Sequence, residues 1–278
     1  MKHCSKITVL MDNRAQPGLL AEHGLSLWIE ADGMKLLLDA GQSGAFARNA
    51  ESMGIRLADA DAIILSHGHY DHTGGLPDVL PAMKAPIIYL HPAALQPRFS
   101  VREGMAKPNG MPMAASAALE DLPVPGCHWV RQPVRLSPCI GLTGPIPRET
   151  GFEDTGGPFF LDAQGTQPDM IDDDMALWIE ADNGLVVCTG CCHAGLVNTL
   201  RWVQEQRPGL PFLSVIGGLH LAAASEGRMR ETIAALRSMD IRQLIPLHCT
   251  GDAAVAQLQE ALGERMFATA MGGSVFEY

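Results

Sequence analysis

Six residues of this chain occur twice. Leu27-Trp28-Ile29-Glu30-Ala31-Asp32 recurs word for word as Leu177-Trp178-Ile179-Glu180-Ala181-Asp182. Each copy runs on through a glycine into a second apolar stretch, Met34 to Leu38 in one and Leu185 to Cys188 in the other. Asp-Gly and Asn-Gly suit the tight turns of two-residue hairpins, so each copy is expected to be a β-hairpin, turning at Ala31-Asp32-Gly33 and Asp182-Asn183-Gly184. Each second strand then ends in a small residue and a glycine region, Asp39-Ala40-Gly41 and Thr189-Gly190-Cys191. A chain that repeats one hairpin in this way is expected to form two pseudo-symmetric halves. Their sheets would lie inside, with helices outside, and both hairpins would deliver their ends to one edge.

The remaining periodicity fits an α/β fold, strands alternating with helices. Helical spacing predicts helices over 45–53, 196–206, 226–239 and 253–262, the first and last closing at Gly54 and Gly263. Strands are expected at 61–65, 212–216 and 243–247. With 278 residues the chain is long enough for one large domain, and a single domain over 1–278 is expected. Within it, residues 97–168 carry eleven of the nineteen prolines together with Met105, Met111 and Met113, and read as a loop-rich insert or lid.

The strand at 61–65 leads into Ser66-His67-Gly68-His69-Tyr70-Asp71-His72, followed by Thr73-Gly74-Gly75. Three imidazoles and a carboxylate in so short a run make a metal-binding loop, since these donors suit Zn, Fe, Mn or Ni. Alternation along extended backbone puts His67 and His69 on one face. Asp71 and His72 lie past the turn and can serve a second ion. Three later apolar strands also end in histidine: His193 in Gly190-Cys191-Cys192-His193, His220 in Gly217-Gly218-Leu219-His220, and His248 in His248-Cys249-Thr250-Gly251. Ligands of open α/β folds gather at carboxyl ends of strands, so all are candidates for the same site.

The HxHxDH run, with its glycine pair after a hydrophobic strand, resembles the metallo-β-lactamase-fold hydrolases. The resemblance implies a four-layer αββα sandwich. It also implies His67 and His69 as ligands of a first metal, Asp71 and His72 of a second, and a metal-activated water as nucleophile. The family usually carries a further His after a middle strand, but none lies between His128 and His193. Where it usually places a bridging Asp, this chain has Cys191. The thiolate of Cys191 as a ligand and His193 as a replacement for the missing histidine are therefore expected, with one ion or two both open. A longer series extends the likeness: Asp12-Asn13, Glu22-His23-Gly24, Asp39-Ala40-Gly41, Gly144-Pro145-Ile146-Pro147-Arg148, and the three later histidine segments. It resembles the branch typified by dihydropterin ribofuranosylaminobenzene phosphate synthase.

These readings lead to a metal-dependent hydrolase of a small anionic substrate, a phosphate ester or pterin-like compound. The cofactor is one or two divalent ions, Zn ahead of Mn, Fe or Ni. Asp71 would orient the attacking water, Arg148 would clamp a substrate anion as guanidinium groups do, His23 would reach the site edge, and Asp39 would hold a metal-binding histidine from behind. The alternatives are a pterin-related synthase of the named branch, or a metal or redox sensor using Cys191, Cys192 and Cys249. A formal charge of −11 argues against nucleic acid as partner. No apolar run approaches membrane-span length, and Met1-Lys2-His3-Cys4 opens no visible secretory leader. Seven cysteines without a disulfide pattern point to the reducing cytoplasm. The oligomeric state stays open.

Overall fold

The structure is a computed structural model and describes residues 5–122, 126–263 and 267–278. Met1 to Cys4, on which the leader reading rested, lie outside the described residues. In chain order the strands are β1 (Lys6–Met11), β2 (Ser26–Ala31), β3 (Met34–Leu38), β4 (Ala62–Ile64), β5 (Ile88–Leu90), β6 (Phe99–Arg102), β7 (Met105–Pro108) and β8 (Cys127–Trp129). There follow β9 (Val134–Arg135), β10 (Ile140–Leu142), β11 (Phe159–Phe160), β12 (Ala176–Ala181), β13 (Gly184–Thr189), β14 (Phe212–Gly218), β15 (Leu244–Leu247) and β16 (Val275–Glu277). The helices are α1 (Ala45–Ser52), α2 (Tyr70–Thr73), α3 (Leu76–Val79), α4 (Met113–Glu120), α5 (Leu196–Gln206), α6 (Glu226–Ser238) and α7 (Asp252–Leu262).

The repeated hexapeptides are β2 and β12, and each pairs antiparallel with the next strand through a two-residue turn. Asp32 and Gly33 both take positive φ, 48° and 78°, as an Asp-Gly hairpin turn requires. The likeness extends outward from the hairpins. One sheet contains the order β1-β2-β3-β4-β5 and the other β10-β12-β13-β14-β15. In both, the first two pairings are antiparallel and the last two parallel.

Side-chain alternation explains the layers. Leu27 and Ile29 from one copy, and Leu177 and Ile179 from the other, meet in the core between the two sheets. Trp28 points the opposite way and packs with Phe46 and Ala50 of α1, and Trp178 packs in the layer of α5, α6 and α7. These aliphatic side chains are all but fully buried, each worth roughly 1.5–3 kcal/mol. A one-residue slip would send Glu30 or Glu180 into the inter-sheet core, so the register is strongly held. The result is the expected αββα sandwich.

Residues 97–168 do more than cover a surface. β8 extends the first sheet, β9 and β10 form the edge of the second, and α4 packs Ala115 and Leu119 against the outer helical layer. Only β6, β7 and β11 stand apart, as a three-stranded sheet. The strands of this segment are two to four residues long and, unlike the apolar runs that hold β4 and β15, mix polar and apolar residues without a period, which is why the segment reads as loop. β16, which closes the first sheet against β1, escapes notice for the same reason. No helix among the described residues is long and apolar enough to cross a membrane.

Candidate metal centre

Every candidate histidine loop leaves the carboxyl end of a strand in the parallel part of a sheet. β4 leads to His67, His69 and α2, β13 to Cys191 and His193, β14 to His220, and β15 to His248. The sandwich stacks these ends together. His67 and His69 have ring centroids 4.6 Å apart, and His193 lies 4.8 Å from each. Beside them, His72 Nε2 lies 3.2 Å from Cys191 Sγ and 3.3 Å from His248 Nε2. Asp71 Oδ2 is 3.2 Å from His248 Nε2 and 3.1 Å from His23 Nε2. His67, His69 and His193 form one group whose donor atoms could hold an ion, and Asp71, His72, His248 and Cys191 are linked beside it by the short distances just given, His72 Nε2 lying 3.9 Å from Asp71 Oδ2. His220 flanks the first group, its ring 4.2 Å from that of His193.

The outer nitrogen of each of these rings has a partner, which turns the other nitrogen inward. Asp39 is the hub. Its Oδ2 lies 2.7 Å from His72 Nδ1 and accepts from Ser66 Oγ, which is itself 2.9 Å from His67 Nδ1. Its Oδ1 accepts from Ser66 N. Asn109 contacts His69 Nε2 at 3.2 Å, the carbonyl of Thr155 faces His193 Nδ1 at 2.8 Å, and Asn13 Oδ1 faces His248 Nδ1 at 2.9 Å. Partners of this kind fix the tautomer of metal-bound histidine. They leave inward His67 Nε2, His69 Nδ1, His193 Nε2, His72 Nε2 and His248 Nε2. His193 Nε2 is buried and has no hydrogen-bond partner.

Charge tests the fit independently. Burial holds the His67, His69 and His193 imidazoles well below their ordinary pKa, so they are neutral and offer lone pairs. At His72 burial acts in the same direction, but the Asp39 and Asp71 carboxylates outweigh it and push the pKa up to about 9. A field that favours a proton at His72 Nε2 favours a metal cation there too. Burial pushes the Cys191 thiol up, so it ligates only where a cation takes the proton's place. The residues present therefore fit a divalent metal site.

Backbone geometry marks the same place. Asp39, Cys192, His220 and His248 take positive φ, between 46° and 60°, a strained state for residues other than glycine that gathers at functional sites. Gly68, between the first two histidines, is required for another reason. A Cβ there would lie 2.1 Å from the Ala94 carbonyl oxygen. Gly68→Ala is expected to cost about 1–3 kcal/mol and to displace both histidines, read as a lower urea midpoint together with reduced metal content.

The sequence-predicted residues fall into place unequally. Asp39 lies behind His72, and His23 lines the mouth against Asp71. Arg148 stands apart from the cavity. Its guanidinium donates to the carbonyls of His193, at 2.7 Å, and Met170. It braces the His193 loop and does not line the cavity over the metal centre. That cavity, of about 550 Å³, has Arg102 and Lys107 as its cations. Sequence reasoning gave no role to either, nor to Asn109 and Thr155, all within the proline-rich segment where no periodic signal singled them out.

Two further outcomes follow from this geometry. Asp39→Asn keeps the shape but removes the charge that holds His72 and, through Ser66, His67. Metal affinity is expected to fall about 10–100-fold, as for other partners of ligating histidines, measured by competition with a chromogenic chelator. Asp174, fully buried and accepting from Ala194 N at 2.7 Å, has its carboxyl pushed up to about 7 by burial. The unfolded chain releases that proton near pH 4 while the folded protein keeps it to about 7. Stability should therefore decline between those values and level off above. Asp174→Asn is expected to lack this decline, which between about pH 5 and about pH 8 is on the order of 3 kcal/mol, in urea unfolding at those two values.

An αββα sandwich with an HxHxDH loop and three histidine-bearing strand ends brings together residues that could hold metal. The profile of the metallo-beta-lactamase superfamily matches residues 20–171, and the chain belongs to that superfamily. The 7,8-dihydropterin-6-methyl-4-(β-D-ribofuranosyl)-aminobenzene-5'-phosphate synthase of Methanocaldococcus jannaschii is 31% identical, over 88% of this chain and 86% of its own. An uncharacterized protein of the same organism is 28% identical over 91% of this chain and 94% of its own. Among solved structures, a metal-dependent hydrolase of the β-lactamase superfamily, Tm1679, superposes with a TM-score of 0.83 at 27% identity, covering 99% of both chains. Zn-bound PqqB from Methylobacterium extorquens shares the fold, with a TM-score of 0.56 at 13% identity over 98% of this chain and 99% of its own.

Proposed function

We propose that the protein is a metal-dependent hydrolase of a small anionic substrate, a phosphate ester or pterin-like compound, working in the cytoplasm without a nucleic-acid or membrane partner. The observation that carries this reading is the set of five inward-turned imidazoles with Asp71 and Cys191 beneath a cavity rimmed by Arg102 and Lys107. His67, His69 and His193 would hold one ion, and Asp71, His72, His248 and Cys191 the other. Zn is favoured over Mn, Fe or Ni by the mixed imidazole, carboxylate and thiolate set. A divalent ion supplies Lewis acidity and lowers the pKa of water from ~15.7 to about 7.

The chain's own groups do the rest. His72, His23 and His248 hold the Asp71 carboxyl well below the usual range against the opposing pull of burial. Asp71 therefore stays ionised at neutral pH and can accept a hydrogen bond from an attacking water. The His23 imidazole, raised by its bond to Asp71, stands at the mouth where it can return a proton to a leaving oxygen. Phe159, within 5.3 Å of the His69 and His193 rings, keeps bulk water from that side.

The test is metal content per chain, with turnover of bis(4-nitrophenyl) phosphate, for wild type and His67→Ala/His69→Ala. About two ions and measurable turnover, both lost in the variant, are expected. A protein that takes up no metal when supplied with it sinks the reading. The synthase relative supports a second reading, a condensation at the same centre in which the aminobenzene nitrogen forms a bond to the 6-methyl carbon of a dihydropterin, a diphosphate on that carbon leaves with the bonding electrons, and the nitrogen loses its proton to solvent. Metal loading with no ester turnover, but consumption of a dihydropterin together with an aminobenzene ribofuranosyl phosphate, would favour it.

A further inference from the structure

The small sheet β7-β6-β11 stands over the metal centre and turns one face to it. Strand register decides which residues share that face. Ser100 pairs with Lys107 and Arg102 with Met105 across β6 and β7, and Phe159 pairs with Ser100 across β11 and β6. Directly paired residues point to the same side of a sheet, as do alternate residues along a strand. Phe159, Ser100, Lys107, Arg102 and Met105 therefore form one face, and all five line the cavity. The intervening Val101 belongs to the other face, toward Gly165. The turn between β6 and β7 is Glu103-Gly104, both at positive φ, 51° and 77°, a short two-residue connection that keeps the hairpin in register.

The face is graded. At its inner end the Phe159 ring lies 5.1 Å from His69, 5.3 Å from His193 and 5.9 Å from His220. Toward the hairpin turn come the exposed cations. Among the described residues Arg102 has no ion-pair partner, and the one contact of the Lys107 ammonium is over the Tyr70 ring at 5.9 Å. Asp71, on the cavity floor, is the one carboxylate among the described lining residues. In a chain of net charge −11, two uncompensated cations on the inward face of a hairpin form a local positive field at the mouth. Met105, 70% exposed, pairs with Arg102 beside the turn and lies at the hairpin end of the face, away from Phe159.

We propose that the cavity takes a two-part substrate: an aromatic body lying against Phe159, and an anionic terminus, separate from the group that reacts at the histidine cluster, held by Arg102 and Lys107. This rests on the hydrolytic reading for its assay and deepens it by naming the substrate class. Selectivity then resides in the inserted sheet, while the sandwich supplies the reacting centre. A guanidinium at the mouth suits a carboxylate or phosphate terminus equally, as both accept bidentate hydrogen bonds.

Two phosphodiesters test it: bis(4-nitrophenyl) phosphate, and the mixed diester of 4-nitrophenol and 4-carboxyphenol. Both release 4-nitrophenolate, and only the second has an anionic terminus. Wild type is expected to favour the carboxylated probe about tenfold in kcat/KM, through KM. In the Arg102→Gln/Lys107→Gln variant, with unchanged metal content, KM for that probe should rise about tenfold and KM for the other, a monoanion that also feels the positive mouth, by no more than about threefold, so that the wild-type preference is largely lost. Phe159→Leu should raise KM for both. A double variant that alters both probes equally, or neither, overturns the anionic terminus, and an unchanged KM in Phe159→Leu overturns the aromatic one. If wild type hydrolyses neither diester, the hydrolytic reading fails. The inference is then decided by calorimetric binding of 4-carboxyphenyl phosphate and phenyl phosphate to the metal-loaded protein. Tighter binding of the first, abolished in the double variant, sustains it, and equal binding overturns it.

Discussion

His193→Ala is expected to release the ion of the first group and to reduce phosphate-ester turnover by at least about a hundredfold. The bound is conservative, since removing even the outer partners of ligating histidines costs about 10–100-fold. His193 Nε2 is buried, without a hydrogen-bond partner, and faces a site shared with His67 and His69. Its ring is set by the Thr155 carbonyl at Nδ1. Burial keeps it neutral, so no salt bridge is lost, and the effect should appear in metal content more than in folding. Elemental analysis should give about one ion fewer per chain. His193→Gln, which retains a neutral polar group but no imidazole, should behave like alanine. Full metal content in either variant would remove His193 from the centre and return the missing histidine of the family pattern to an open question.

Arg98→Met is expected to lower stability by about 3–5 kcal/mol, the cost of leaving buried charge unpaired. The Arg98 side chain is fully buried between two carboxylates. Its Nε pairs with Asp169 at 2.9 Å, and Nη1 donates to Asp173 Oδ2 at 3.0 Å while Nη2 donates to the other oxygen. Nη2 also donates to the Ala93 carbonyl, at 3.1 Å. Asp173 Oδ2 in turn accepts from Gly68 N at 2.7 Å. The triad thus joins the start of the inserted sheet to the metal loop, and its loss should lower metal affinity as well as the urea midpoint. Arg98→Met/Asp169→Leu/Asp173→Asn should recover much of the lost stability, because no buried charge is left unpaired. It should not recover metal affinity fully, because a neutral carboxamide in place of the Asp173 carboxylate holds the Gly68 N–H less strongly. A loss under about 1 kcal/mol in the single variant would show that water reaches the carboxylates.

Much of the scaffold is legible in the residues alone. The two hexapeptides contain the parity that sends Leu27, Ile29, Leu177 and Ile179 between the sheets and both tryptophans toward the helices, because alternation is a property of the strand itself. The turn at Asp32-Gly33 is local in the same sense. So are the long helices, whose amphipathic spacing and closing glycines lie within one window of sequence. The HxHxDH loop is legible because its donors are close in sequence and their spacing is chemical.

The features written into neighbouring residues are therefore local: two like hairpins, the long helices, and a cluster of donors placed after strand ends. The tertiary structure alone decided which donors meet. Cys191 reaches His72, His193 reaches His67 and His69, and Arg148 reaches the carbonyls of His193 and Met170. It also decided that a stretch read as loop supplies edge strands for both sheets and, in Arg98, Arg102, Lys107, Asn109 and Thr155, the groups around the site. The physical reason is range. Propensity, turn chemistry and alternation act over a few residues, whereas a buried ion pair or a converging set of nitrogens is selected by the packing of segments far apart in the chain, and leaves no period in the sequence.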